Sequence, residues 1–199
     1  MTPPRLDAPA THRNRDALLA ALRPLLPKRG LLLELASGTG QHCAHFAASL
    51  PALTFQPTDP DPAHRASIAA WCEGLSNVRA PLALDVMASP WPVAQADAAL
   101  CVNMIHIAPW EATPALFAGA ARILPAGAPL ILYGPFRRGG AHTAPSNAAF
   151  DADLRARDPR WGVRDLEAVA KVAAEAGFGP PAVTGMPANN LTVAWRRLA

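Results

Sequence analysis

Short apolar runs alternate with helix-patterned stretches along most of the chain, and no other feature constrains the fold as tightly. "GLLLELA" at residues 30–36 is a buried-strand pattern, and "QHCAHFAASL" after it is helical. "LTFQPTD" and the helix "AHRASIAAWCEGL" repeat the unit. "LALDV" ends a third strand, and "ADAALCVNMI" is a fourth, followed by the helix "TPALFAGAARIL". "APLILYGPF" is a fifth strand, and "LEAVAKVAAEAGF" is a long helix stopped by Gly177. "AVTGM" and "LTVAWRRL" close the chain as two strands joined by "PANN" alone, so they should pair antiparallel. Such alternation builds a doubly wound, Rossmann-like α/β fold. The expected sheet is seven-stranded and mostly parallel, with a closing antiparallel strand and helices on both faces.

The chain reads as a single domain over residues 1–199. Residues 1–29 form an N-terminal arm and helix, from "NRDALLAALRPLL". Half of the 199 residues are apolar and 17% are charged, enough for one core and too few charges for a disordered chain. The formal charge of +3 is mildly basic and the arginines are scattered, so nothing points to a nucleic-acid partner. Cys43, Cys72 and Cys101 form no CxxC pair, which argues against a disulfide framework and a structural zinc site. The polar, proline-rich "MTPPRLDAPATHRNRD" is not a signal peptide, and no apolar stretch has membrane-span length. A cytoplasmic location, no membrane and no metal are the expectations.

In an open α/β sheet, ligands bind beyond the carboxyl ends of the strands. The first such loop is "ELASGTGQH". A nucleoside-triphosphate loop needs Lys and Ser/Thr after its last glycine, but Gln41 and His42 follow Gly40. A dinucleotide loop needs a third glycine where Cys43 stands, and an ionised Glu34 would repel a pyrophosphate. A cofactor with a cationic end and no phosphate fits better, and S-adenosylmethionine is one. Gly38 and Gly40 let the backbone approach it, and Glu34 sets a favourable potential for its cation. The alternative is a plain strand-to-helix turn. Asp59 follows the second strand 19 residues beyond Gly40, a distance at which an acid accepts from ribose hydroxyls. Asp61 competes with it, as does an Asx turn in "TDPDP". Asp85 can accept from an adenine amino group while Val86 packs on the ring.

The combination of "HRNRD" (12–16), "LELASGTGQH", "FQPTDPD", "NMIHIAPW", "LYGPF" and "SNAAFDADLRARDPRWGVRDLE" (146–167) resembles the methyltransferase-like 26 family, also known as domain-of-unknown-function family 938. Through it the chain resembles class I S-adenosylmethionine-dependent methyltransferases. The resemblance implies that Glu34, Ala36, Ser37, Gly38, Thr39 and Gly40 contact the methionine end, Asp59 the ribose, and Asp85 with Val86 the adenine. Asn103 is expected among the cofactor-binding residues too, and it stands where amino-methylating enzymes carry Asp or Asn before Pro-Pro and an aromatic residue. Met104, Ile105 and His106 follow it here, a departure that points away from nucleic-acid bases and towards a small-molecule acceptor.

Methyl transfer needs positioning, plus a base if the nucleophile is protonated. His106 and Tyr133 are the candidate catalytic residues, each with core packing as its alternative. Residues 137–165 are too long for a plain connection and are read as a substrate lid, with Asn147, Asp151, Arg160 and Arg164 as acceptor-binding candidates. Its arginines hint at an anionic acceptor; its alternative is a solvated amphipathic helix. A short-chain dehydrogenase would need Tyr-x-x-x-Lys, whereas Arg137 follows Tyr133 at that spacing. A non-catalytic cofactor-binding module is the competing functional class.

Overall fold

The computed structural model describes residues 5–199. Helix α1 (Pro9–Leu22) precedes β1 (Gly30–Leu35), α2 (Gln41–Ser49), β2 (Leu53–Pro57) and α3 (Pro62–Trp71). Strand β3 (Ala98–Val102), α4 (Ala112–Ile123) and β4 (Pro129–Gly134) follow. An insertion holds β5 (Phe136–Arg138), β6 (Ala141–His142), α5 (Pro145–Arg157) and β7 (Arg164–Asp165). Helix α6 (Leu166–Glu175), β8 (Ala182–Met186) and β9 (Asn190–Arg196) complete the chain.

The main sheet has six strands in the order β2-β1-β3-β4-β9-β8. Strands β2, β1, β3 and β4 run parallel, and β9 is antiparallel to both β4 and β8. The expected seventh strand, "LALDV", is not formed. Only isolated parallel bridges remain beside β2: Phe55 with Val78 in the approach, and Thr58 with Leu82, the first residue of the segment. Asp85 accepts from the backbone N–H of Met87 (2.9 Å), a local turn that competes with ladder bonds at the end of this segment.

Side chains alternate across the sheet, as a pleated strand requires. Leu33, Leu35, Ala99, Cys101, Leu130 and Leu132 pack with α4 and α6 on one face. Leu32, Ala98, Leu100, Ile131 and Tyr133 pack with α1, α2 and α3 on the other. No described helix is long and apolar enough to cross a membrane. Strands β2 and β3 flank β1 on opposite sides, so the connections leaving β1 and β3 diverge, and a crevice opens at their carboxyl ends.

Candidate functional site

A cleft of about 230 Å³ occupies that crevice. Glu34 and Ala36 line it from the end of β1, Ser37, Gly38 and Thr39 from the loop, and Val102 and Asn103 from β3. A larger hollow of about 820 Å³ lies at the opposite, amino ends of the strands, around Gly30, Arg79, Asp97 and Arg122. The smaller cleft is the chemically organised one, because it collects the glycine loop and a buried acid.

The loop folds as its composition demands. Ala36, Gly38 and Gly40 all have positive φ (53°, 57° and 89°). Gly40 opens α2, and a Cβ there would stand 2.6 Å from the Cα of Ile68 in α3. Nothing lies within 4 Å of a Cβ on Gly38. Ser37 N–H donates to the Thr58 carbonyl (2.8 Å) and Thr58 Oγ1 to that of Glu34 (2.8 Å), which locks the loop to β2.

Glu34 is 2% exposed, and its Oε2 has no hydrogen-bond partner. Burial pushes its pKa up to about 7; Ser37 and Cys43 partly offset this, and the nearby charge of Asp59 adds to it. A buried carboxylate with an open acceptor position fits a cationic ligand.

Asp59 sits behind the loop. Its Oδ2 accepts from Gly38 N–H (2.9 Å), and its Oδ1 from Asp61 N–H (3.0 Å) and from His64 Nδ1 (3.1 Å). A carboxylate has about four acceptor positions, so one on Oδ2 stays open. The competitor Asp61 caps α3 by accepting from Ala63 N–H (2.8 Å). Asp85 is exposed, and Val86 belongs to the core beside Trp91. Gly40, Asp59, Asp85 and Val86 therefore do not line the cleft.

The structure also fails to bring the expected catalytic pair to the cleft. His106 is fully buried, edge-on to Phe136 at 5.0 Å. Its Nδ1 accepts from Arg164 N–H (3.3 Å), and burial, with the Arg164 charge, holds its pKa down to about 3. A neutral, enclosed imidazole of that basicity is packing, not an exposed base. Tyr133 is likewise buried on β4. Burial raises its pKa, and the side chains of Asn14 and Asn190 partly offset the rise.

The expected lid residues are committed elsewhere too. Asn147 donates to the Asn189 carbonyl (2.9 Å), and Asp151 accepts from Val163 N–H (2.6 Å) and Arg155 Nε (3.1 Å). Arg160 pairs with Asp158 (2.7 Å). Arg164 donates to the carbonyls of Ile105 (2.9 Å), Ala108 and Arg160 (3.0 Å), and lies 5.7 Å over the Trp110 ring. None of these four lines the cleft. Arg164 ties the insertion to the loop after β3, and both Arg160 and Arg164 are taken up by contacts within the protein. Arg164→Ala should lower stability by about 2 kcal/mol, since three carbonyls lose a charged donor, while cofactor affinity holds. Paired melting and calorimetry check this; a large affinity loss in the folded variant would return Arg164 to the ligand site.

The roof of the cleft comes from an element not assigned to it from sequence. Ala8, Ala10, Thr11 and Asn14 line it, with His42, His64 and Ile107. The arm is strapped down: Leu6 N–H donates to Ser67 Oγ (2.9 Å), Trp71 Nε1 to the Leu6 carbonyl (2.8 Å), and Ala8 N–H to Gln41 Oε1 (2.7 Å). Gln41 Nε2 donates to Asp7 (2.9 Å), and His42 Nε2 to Asn14 Oδ1 (2.7 Å). His45 Nε2 stands 2.9 Å from Asp16. The motifs "HRNRD" and "GQH" thus meet, the first laid along the second. Burial and the charges of His45 and Arg15 push the His42 pKa down to about 4, so the ring is neutral at pH 7. The available signal was Thr11 and Asn14, polar residues on the same helix stripe as Leu18 and Leu22.

A family model described as "Protein of unknown function (DUF938)" matches residues 5–197. Among solved structures, the apo form of the S-adenosylmethionine-dependent methyltransferase SibL is 21% identical, with a TM-score of 0.79 over 96% of this chain and 56% of that one. Human N-acetylserotonin methyltransferase in complex with SAM is 13% identical, with a TM-score of 0.82 over 96% and 53%. The YcgJ protein from Bacillus subtilis is 11% identical, with a TM-score of 0.71 over 94% and 99%. The chain thus spans a little over half the length of the first two. The fold is methyltransferase-like, an α/β architecture with a mostly parallel central sheet.

Proposed function

The chain belongs to the DUF938 family, and we propose that it is an S-adenosylmethionine-dependent methyltransferase acting on a small-molecule acceptor. The observation that carries this reading is Glu34: a buried carboxylate with an unpartnered oxygen, at the switch point of the sheet, beside a loop of positive-φ residues. The methyltransferase-like 26 assignment remains part of the same proposal.

In this reading Glu34 receives the ammonium, and residues 36–40 present their backbone to the methionine end. The open position on Asp59 Oδ2 receives a ribose hydroxyl. The second oxygen of Asp85 receives the adenine amino group, with Val86 behind it. Asn103, at the end of β3 with φ 61°, borders the acceptor side. The cofactor, when bound, supplies an electrophilic methyl group. The chain's own residues orient the reactants, so positioning rather than a buried base carries the rate. His106 and Tyr133 then act as supports for the β3 and β4 ends.

Calorimetry with S-adenosylhomocysteine and with NAD tests the cofactor: tighter NAD binding would sink the reading. Release of S-adenosylhomocysteine on incubation with a fractionated metabolite extract separates an enzyme from a non-catalytic binding module. Asp59→Ala should weaken the cofactor about tenfold to a hundredfold, the worth of charge-assisted hydrogen bonds. Unchanged affinity would remove Asp59 from the ribose site.

A further inference from the structure

The hollow at the amino ends of the strands has a chemistry of its own. Residues of β2 alternate between the two faces of the sheet. Leu53 and Phe55 enter the core shared with α2 and α3, so Thr54 and Gln56 face the other way and line the hollow. A covered parallel sheet carries apolar residues at such positions. Here no helix forms between Trp71 and Ala98, and the chain reaches β3 as irregular structure. The space a crossover helix would fill is left as a basin of about 820 Å³, a size that suits a small-molecule site. Basin and cleft lie at opposite ends of β1: Gly30 lines the first and Glu34 the second.

Its walls supply groups of three kinds. Gln56 is 4% exposed, and its Nε2 donates to the carbonyls of Pro57 (3.1 Å) and Ala80 (2.9 Å). That fixes the amide and leaves Oε1 as its free acceptor among the described residues. Arg79 enters from the segment beside β2, and Arg122 from the last turn of α4. Among the described residues no carboxylate stands within ion-pair distance of either. Asp97, the one acid of the lining, is tied to β1, its Oδ2 accepting from Leu31 N–H (2.7 Å). Leu31, Val93, Ile123 and Leu124 add apolar surface. Two unpaired cations, a fixed acceptor and apolar walls match a ligand with an acid group, a hydrogen-bond donor and an apolar body. We propose that this basin is a second binding site, separate from the cleft, for an organic anion of that kind. Its acid group meets Arg79 and Arg122, and its N–H or O–H donates to Gln56 Oε1. The inference does not rest on the cofactor reading.

Fluorescence titration of the full chain with two probes tests it. Anilinonaphthalene sulfonate has an acid group, an N–H and apolar rings; phenylnaphthylamine has the same rings and N–H without the acid. The wild type should prefer the sulfonate by about tenfold, since an exposed guanidinium contributes about threefold and there are two. Added salt should shrink the preference, because both arginines are exposed. Replacing both by alanine, Arg79→Ala with Arg122→Ala, should erase it while the neutral probe shifts less than about twofold. Arg79→Lys with Arg122→Lys should keep most of it, since the charges remain. Neither side chain is buried, so melting should stay at the wild-type value. A wild type without the preference overturns the inference. So does an equal loss of both probes in the double alanine variant, which would mean a distorted basin rather than missing cations. A preference that survives that variant places the sulfonate elsewhere, and Arg122 then only offsets the negative end of α4.

Discussion

Cofactor affinity should rise about tenfold between pH 6 and pH 8, with a midpoint near 7, because Glu34 must be ionised to hold a cation and its pKa lies at about 7 in the free protein. Below that pH the carboxyl is neutral, and binding must first expel its proton. Titrations in two buffers of different ionisation enthalpy should therefore report nearly one proton released per ligand at pH 6 and almost none at pH 8. Glu34→Gln should flatten the profile and bind weakly throughout. The same shift acts on stability with the opposite benefit. The folded pKa is raised above the ordinary 4.5, so the ionised acid opposes folding. Stability of the ligand-free protein should fall by about 3 kcal/mol as pH rises from about 4.5 through 7, then level off. Above pH 7, Glu34→Gln should melt higher than wild type. A pH-independent wild-type affinity would mean that Glu34 does not meet the cation.

Replacing Gly40 by Ala should cost about 2–5 kcal/mol. Its φ of 89° penalises any Cβ by about 1–2 kcal/mol, and the new methyl would meet the backbone of Ile68 at 2.6 Å, where overpacking adds about 1–3. The melting temperature should drop by roughly 5–20 °C for a chain of this size. Gly38→Ala is the control. It shares the positive φ but meets no atom within 4 Å, so it should cost only about 1–2 kcal/mol. Equal destabilisation of the two variants would show that contact between the glycine loop and α3 is not the determinant.

Patterning made the sheet legible because neighbouring residues report opposite faces: Leu32 and Leu33, Ile131 and Leu132 go to different cores. The edge segment at 82–86 misled because its apolar residues resemble a strand, while the Asp85 side chain diverts the backbone into a turn. The glycine loop was legible as local chemistry, since its residues are contiguous. The roof was not, because Asn14 and His42 meet across 28 positions, and neither motif alone announces a partner. Residues 137–165 display their polarity plainly. Which carbonyls Arg164 reaches depends on the return of the chain to the loop after β3, which composition does not encode.

The placement of β9 between β4 and β8 bears on how the molecule assembles. Strand β8 touches the sheet only through β9, although it is made first. Strand β4, buried along its whole length, waits more than fifty residues for its second neighbour. During synthesis the parallel half can collapse early, but β4 keeps an unpaired apolar edge until β9 arrives. That interval is the stage most open to mispairing with other chains. A nascent chain halted before residue 190 would carry a largely formed glycine loop on an unfinished sheet, a species for chaperones to hold rather than a smaller working protein.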